Sequence, residues 1–267
     1  MPLKKQLMDK SILLKTENQV AYITLNRPDV FNSFDREMAL LLQATLDDCE
    51  KNSEVRSIVL SGKGKAFCAG QDLKEVTTPE LNPGFKKILE EHYNPIIIRI
   101  RNINKPIIAA VNGVAAGAGA NIALACDVVV ASENVSFIQA FSKIGLVPDS
   151  GGTFFLPRLI GFQKASALMM FGDKIPAKEA EALGMIYKVF PVDTFNEEVK
   201  IIAIHLANMP TKALGFIKKM LNESMTNTLE KQLDLEGKLQ IEAAQSEDYI
   251  EGVNAFIEKR KPIFKGK

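Results

Sequence analysis

Residues 106–131 read PIIAAVNGVAAGAGANIALACDVVVA, and how this run is read decides the fold. It is long and mostly apolar, as a membrane-spanning helix would be, but Asn112, Asn121 and Asp127 interrupt it. Its two ends are rich in β-formers and flank a glycine cluster, a pattern that one continuous helix does not show. The physical reading is a buried strand, a turn, a helix and a second strand. Strands that alternate with helices imply an α/β architecture with mostly parallel strands, whose ligands collect at loops leaving strand C-termini.

Upstream, SILLKT and QVAYITLN, with Glu17-Asn18 between them, read as a β-hairpin. The period then changes: Met38, Leu41, Leu42, Thr45, Leu46 and Cys49 fall on one face of a helix. VRSIVLSG reads as a buried strand, KGKAFCAGQDLKE as a loop, and FKKILEEHYNPIIIRIRNI as a second long helix leading to the strand KPIIAAVNG. Downstream of about Phe162 the pattern becomes mainly helical. The chain divides into an α/β core over residues 1–200 and a helical C-terminal region over 201–267, large enough to pack onto another subunit.

At 267 residues, with 46% hydrophobic and 24% charged residues, the chain can bury a sizeable core. Thirty-three Lys and Arg against 32 Asp and Glu, with no basic stripe, argue against a nucleic-acid groove. Cys49, Cys68 and Cys126 are odd in number and widely spaced, so they suggest neither a disulfide framework nor a zinc site and fit a reducing cytosol. The start, MPLKKQLMDKSILLK, has no apolar h-region, and no signal peptide is read. A cytoplasmic protein with no membrane or nucleic-acid partner is the expectation.

What the sequence lacks narrows the chemistry. His92 and His205 each lie in a helical segment without ligand spacing, which argues against zinc hydrolysis and Ser-His machinery. No Walker Lys-Ser/Thr pair is present, and GVAAGAG is an off-pattern match to the dinucleotide motif. Two loops remain. In AFCAGQDLKE, Ala69 and Gly70 precede Gln71, and in GVAAGAGANIALACD the run Gly117-Ala118-Gly119 opens a helix. Helix entrances carry unpaired N–H groups, so the two loops could form an oxyanion hole; tight helix-to-strand packing would explain the small residues equally well. A third element is IGLVPDSGGTFFLP, where Asp149 is the one acid in an uncharged run. It either caps the following helix or is kept partly desolvated for proton transfer. The basic end, FIEKRKPIFKGK, is a solvated tail or a phosphate contact.

ITLNRPDVFNSF, KAFCAGQDLKE, KPIIAAVNGVAAGAGANIALACDVVVASENVSF, SKIGLVPDSGGTFFLPRLIG and AEALGMIYKVF together resemble the crotonase superfamily, the enoyl-CoA hydratases and isomerases. The match spans essentially the whole chain. The segments FIQAFSKIGLVPDSGGTFFLPR, NTLEKQLDLE and DYIEGVNAFIEKRKPIFKGK are most similar to members that isomerise a ring-epoxide phenylacetyl-CoA. The resemblance implies an α/β spiral of ββα turns, a helical C-terminal trimerisation region, and a homotrimer or dimer of trimers. It gives the two loops a task, since by motif the N–H groups of Gln71 and Ala118 hold the thioester oxygen of an acyl-CoA.

The departures from the family bear on the reaction. Its hydratases carry two glutamates, at positions that are Asn121 and Phe141 here, and neither an amide nor a phenyl ring transfers protons. Asp149 remains, at the position of the proton-transfer aspartate in isomerases of the family, with Phe141, Leu146 and Val147 expected to exclude water from it. The resemblance also implies that Ala66, Ala69, Gln71, Asp72 and Leu73 line the CoA, that Arg27 lies near its phosphates or adenine, and that Phe264 and Lys267 reach it, from a neighbouring subunit or their own. Asn121 and Phe141 are placed in the substrate-binding set. The expected activity is an acyl-CoA isomerase without metal or redox cofactor, the CoA being part of the substrate; the rivals are an enoyl-CoA hydratase of β-oxidation and a non-catalytic acyl-CoA-binding subunit.

Overall fold

The computed structural model describes residues 11–267. The reading of the N-terminus as lacking a signal peptide falls on residues outside that range. Strands β1 (Ile12–Glu17) and β2 (Val20–Leu25) pair antiparallel, with Ile12 opposite Leu25. Their turn is Asn18-Gln19, both left-handed with φ of 51° and 62°. It lies one residue later than expected, because a two-residue hairpin turn that follows the strand twist needs positive φ at both positions, while Glu17 stays in register with Val20.

The next strands run parallel to β2: β3 (Ser57–Gly62), β5 (Ile107–Val111), β7 (Val128–Ser132) and β10 (Lys188–Phe190) complete a six-stranded sheet in the order β1-β2-β3-β5-β7-β10. A second sheet, β4-β6-β8-β9, is built of three-residue strands: β4 (Ala66–Cys68), β6 (Val114–Ala116), β8 (Ser136–Ile138) and β9 (Lys174–Pro176). The chain crosses from the first sheet to the second at Gly62 and again at Gly113. A side-chain carbon at either would lie 2.2 Å from a carbonyl oxygen, of Ala66 and Lys65 respectively, so only glycine allows the crossing. Each crossing is followed by helical chain, which is the ββα spiral that the resemblance implies.

Helix α1 (Arg36–Lys51) is capped by Asp35, whose carboxylate accepts the Met38 N–H at 2.9 Å. It buries Met38, Leu42, Leu46 and Cys49 against Tyr93, Ile96 and Ile100, each large apolar side chain contributing about 1.5–3 kcal/mol. After β4 come α2 (Leu73–Thr77), a short turn at Phe85–Lys87, a π-helical segment Ile88–Tyr93 and α3 (Asn94–Asn102). After β6 comes α4 (Ala118–Leu124), and after β8 a 3-10 turn (Ala140–Ile144) and α5 (Gly152–Ile160). Helices α6 (Phe162–Phe171) and α7 (Ala177–Ala182) flank β9. Residues 106–131 therefore form strand, strand, helix and strand, with β6 the part not anticipated.

Helix α8 (Phe195–Ala207) covers the outer face of the first sheet, where Phe195, Val199, Ala203 and Ala207 meet Val20, Val59, Ile108 and Val130. Residue 200 lies within this helix, and three further helices follow it, α9 (Thr211–Ser224), α10 (Leu229–Ala243) and α11 (Glu247–Ile257). Lys218 of α9 docks on Asp127 at 2.8 Å, and Arg101 of α3 pairs with the same carboxylate at 3.1 Å. Among the described residues no helix is long and apolar enough to cross a membrane.

Candidate active site

Two of the second sheet's strands deliver the two small-residue loops side by side. β4 runs into Ala69-Gly70-Gln71, where the Phe34 N–H donates to the Gly70 carbonyl at 2.7 Å and the Asp72 N–H to the Phe34 carbonyl at 2.8 Å. Gln71 lies between these two bonds with its own N–H turned the other way. β6 runs into Gly117, and α4 starts at Ala118, one of the helix's first unpaired donors. Among the described residues neither the Gln71 nor the Ala118 N–H has an acceptor. The loops are in contact: a side-chain carbon on Gly119 would lie 2.3 Å from the Cys68 carbonyl oxygen, and one on Gly70 would lie 3.5 Å from the Ala118 nitrogen. Two free donors packed this closely can share one developing oxyanion.

The Gln71 side chain is held from both ends. The Tyr93 hydroxyl donates to Gln71 Oε1 at 3.0 Å, and Gln71 Nε2 donates to Glu75, which also accepts the Arg36 N–H at 2.8 Å. Tyr93 and Glu75 are both buried. The sequence reading missed both, because Tyr93 shares a helical face with Ile96, Ile97 and Ile100 and looks like core. Its distinguishing feature, the π-helical segment it ends, leaves no pattern in the residues.

Asp149 arrives after β8. The 3-10 turn buries Phe141 against Gly117, its ring 3.7 Å from where a side-chain carbon would sit there. Ser150 (φ 51°) and Gly151 (φ 73°) then take left-handed conformations before α5 begins. Gly151 occupies the cap position of α5 with no side-chain cap bond, so the Asp149 carboxylate is not a helix cap. It accepts the Ser150 hydroxyl at 2.8 Å instead. Burial pushes its pKa above the usual aspartate value, with the Ser150 hydrogen bond opposing. Burial also raises the Tyr93 phenol, with a smaller push from acids that include Asp149, so the two groups are within electrostatic reach.

Of the apolar neighbours expected to keep water from Asp149, Phe141 is buried, whereas Leu146 and Val147 are themselves 38% and 79% exposed. They line an apolar cavity of about 400 Å³ with Pro148, Thr153, Phe162 and Met169. Asn121 is likewise displaced from its expected role. It is wholly buried, donating from Nδ2 to the Asp149 carbonyl at 2.9 Å and accepting Gln139 Nε2 at 2.7 Å, and so presents no free group to a substrate.

The expected CoA-contacting residues separate into those near the Gln71 loop and those remote from it. Ala69 and Leu73 are exposed beside Gln71. Ala66 is buried, and its carbonyl accepts Asn32 Nδ2 at 2.8 Å. Asp72 caps α2 through the Lys74 N–H at 2.9 Å and pairs with Arg27 at 2.7 Å. Arg27 also pairs with Asp35 at 3.0 Å and donates to the Ser33 carbonyl, so its guanidinium is already neutralised by carboxylates. Phe264 and Lys267 lie elsewhere. The Phe264 carbonyl accepts Arg56 Nη1 at 2.7 Å at the start of β3, and the Lys265 and Gly266 N–H groups bond Asp248. Within one chain the tail therefore sits at the end of β3 opposite to the loops.

The remaining reactive side chains are quiet. Burial raises the Cys68 and Cys126 thiols to about 12 and Cys49 to about 11, which leaves no thiolate nucleophile. His92 is in the core, its pKa lowered by burial, and His205 is on an exposed helix face. Among the described residues no group of three or more His, Cys, Asp or Glu could hold a metal. A cavity of about 600 Å³ is lined by residues that include Lys15, Tyr22, Asn112, Asn196 and Lys200 and by none of the expected site residues.

The sequence model of the enoyl-CoA hydratase/isomerase family matches residues 15–267, and the chain belongs to that family of enzymes. It is 44% identical to the 1,2-epoxyphenylacetyl-CoA isomerase of Escherichia coli K12, over 97% of this chain and 100% of that one. It is 45% identical to a probable enoyl-CoA hydratase of Rhodobacter capsulatus, over 93% and 95% of the two chains. A crystal structure of an enoyl-CoA hydratase subunit from Geobacillus kaustophilus superposes with a TM-score of 0.89, at 36% identity over 96% of this chain and 98% of that one.

Proposed function

We propose that this enzyme is an acyl-CoA isomerase in which Asp149 carries a proton between two carbons of the acyl group while the N–H groups of Gln71 and Ala118 hold the thioester oxygen. The observation that carries the reading is the pairing of one partly buried, raised-pKa carboxylate with two adjacent unpaired N–H groups, beside an Asn121 that offers no second acid. Two donors on the thioester oxygen stabilise the enolate formed when the neighbouring carbon loses its proton. An ionised Asp149 takes that proton and returns it at another carbon, so no water is consumed and a single acid–base group suffices. The relative named 1,2-epoxyphenylacetyl-CoA isomerase supports a ring-epoxide phenylacetyl-CoA as substrate, rearranged to the oxepin-CoA; shifting a 3-enoyl double bond to C2 uses the same groups. The exposed Ile241, Ile250, Phe256, Ile257 and Ile263 of the C-terminal region support a homotrimer or dimer of trimers.

The test is turnover of the phenylacetyl-CoA epoxide and of 3-hexenoyl-CoA by wild type and Asp149→Asn, with crotonyl-CoA hydration alongside. Isomerisation that falls by about 100-fold or more in the variant fits the loss of a positioned acid–base group. The similarity to a probable hydratase favours hydration as the second reading, and crotonyl-CoA hydration at a rate matching isomerisation would establish it. Absence of turnover with all three substrates, alongside tight acyl-CoA binding, would leave only the non-catalytic subunit.

A further inference from the structure

We propose that Asn121, backed by Gln139, is a positioning residue that fixes the main chain beneath Asp149 and so aims its carboxylate; the inference rests on the isomerase reading above. The Asp149 carbonyl oxygen accepts two hydrogen bonds, from Asn121 Nδ2 at 2.9 Å and from the Gly152 N–H at 2.8 Å. A carbonyl can only accept, so the amide of Asn121 has one workable orientation, and its Oδ1 then faces Gln139 Nε2 at 2.7 Å. Gln139 is buried and keeps this bond although its own Oε1 has no donor.

The held segment needs holding. Ser150 is a non-glycine residue at φ 51°, a conformation that persists only where its surroundings enforce it, and it is also the residue whose hydroxyl bonds the Asp149 carboxylate. Gly152 completes the fit, since a side-chain carbon there would lie 2.4 Å from Asn121 Nδ2 and 2.8 Å from its Oδ1. The amide is thus clamped between Gln139, Gly152 and the Asp149 carbonyl. A side chain at position 152 would displace this amide, and a carboxylate at position 121 would set an acceptor against the carbonyl. Besides Asp149, the titratable groups on elements packed against α4 are Cys68 on β4, Arg158 on α5, and Cys126 with the paired Arg101 and Asp127 at its far end; burial holds both thiols un-ionised.

The experiment measures kcat, KM and the pH profile for 3-hexenoyl-CoA isomerisation by wild type, Asn121→Ala, Asn121→Asp and Gln139→Leu, with Asp149→Asn as control and thermal unfolding to confirm folding. A carboxylate misplaced by about 1 Å is expected to lower kcat by about 10- to 100-fold in Asn121→Ala, and in Asn121→Asp once its new carboxyl is ionised, with KM changed by less than about threefold. Asn121→Asp carries the specific signature. Protonated, the new carboxyl can donate to the Asp149 carbonyl; ionised, it cannot, so this variant alone gains an alkaline limb along which kcat falls. Folded Asn121 variants with wild-type kcat, or an Asn121→Asp profile without that limb, overturn the inference. Should the Asn121 variants not fold, Gln139→Leu decides: a several-fold fall in kcat at unchanged KM supports the clamp, and wild-type kinetics overturn it. Turnover lost in Asp149→Asn but kept in the others refutes the clamp alone, whereas turnover kept in Asp149→Asn refutes the reading beneath it.

Discussion

Gly119→Ala separates the two halves of the proposed oxyanion hole by the smallest possible change. The added carbon would lie 2.3 Å from the Cys68 carbonyl oxygen and 2.7 Å from Cys68 Cβ and Sγ, against a practical minimum of 3.0 Å, so the entrance of α4 must retreat from β4 by at least about 0.7 Å. The nearest obstacle, the Cys68 carbonyl oxygen, is main chain and cannot swing aside. Overpacking of this kind costs about 1–3 kcal/mol. For a chain of this length each kcal/mol lowers Tm by about 2–4 °C, so a fall of about 2–12 °C is expected by scanning calorimetry. The catalytic effect is larger. Ala118 is the adjacent residue, and a donor works over a window of only about 0.4 Å around 2.9 Å, so the retreat removes one of two donors and lowers kcat by about 100- to 1,000-fold. Gly237→Ala is the control: a carbon there meets nothing within 4 Å in the middle of α10, and it should leave kcat unchanged while adding up to about 1 kcal/mol of stability. A folded Gly119→Ala enzyme with kcat within about threefold of wild type would refute the assignment of the Ala118 N–H to the reacting oxygen.

Tyr93→Phe removes the hydroxyl that bonds Gln71 Oε1 at 3.0 Å and should lower stability by about 1 kcal/mol, read as a shift in the denaturation midpoint, with a several-fold fall in kcat. Gln19→Gly relieves a left-handed non-glycine residue in the hairpin turn and should raise stability by about 1 kcal/mol without touching turnover, checked by thermal unfolding and activity together. Asp149 acts as a base only when ionised, and its pKa is raised, so kcat should fall as pH drops through a value above that of an ordinary aspartate. The stability sign is opposite: the buried neutral acid favours folding below its unfolded pKa, and that contribution is lost as pH rises through the folded value. Asp149→Asn should therefore gain Tm relative to wild type between acid and neutral pH, measured across a buffer series.

The long elements were legible because burial imposes a period on them. The α1 stripe of Met38, Leu42, Leu46 and Cys49 is buried as read, and β3, β5 and β7 fall within the apolar runs assigned to strands. The second sheet was not legible, because a three-residue strand such as β4 or β6 is shorter than any repeat that could reveal it. At the site, small residues mark Gly70, Gln71 and Ala118, since close backbone approach demands them there. Nothing local marks Tyr93, Glu75 or Gln139, whose partners are brought near only by the spiral. Arg27 is legible only in part: the resemblance implies that it lies near the CoA phosphates or adenine, and the fold adds that Asp35 and Asp72, 8 and 45 residues away, pair with its guanidinium.

The exposure of Leu146 and Val147 bears on how Asp149 could be both accessible and basic. A carboxylate sealed from water would be neutral at working pH and useless as a base, whereas one fully in water would have too low a pKa to hold a proton in transit. In the free chain Asp149 lies between these limits, partly buried, with Val147 79% exposed two residues away. Under the proposed function, an acyl chain lying on Leu146 and Val147 covers those side chains and removes water from the carboxylate in the same event. Binding then raises the basicity of Asp149 when a proton is there to be taken. The acid limb of kcat, which reports the bound enzyme, should accordingly lie at higher pH than that of kcat/KM, which reports the free one. Coincident limbs would mean that the fold alone sets the carboxylate's environment and that the apolar surface at Leu146 and Val147 plays no part in tuning it.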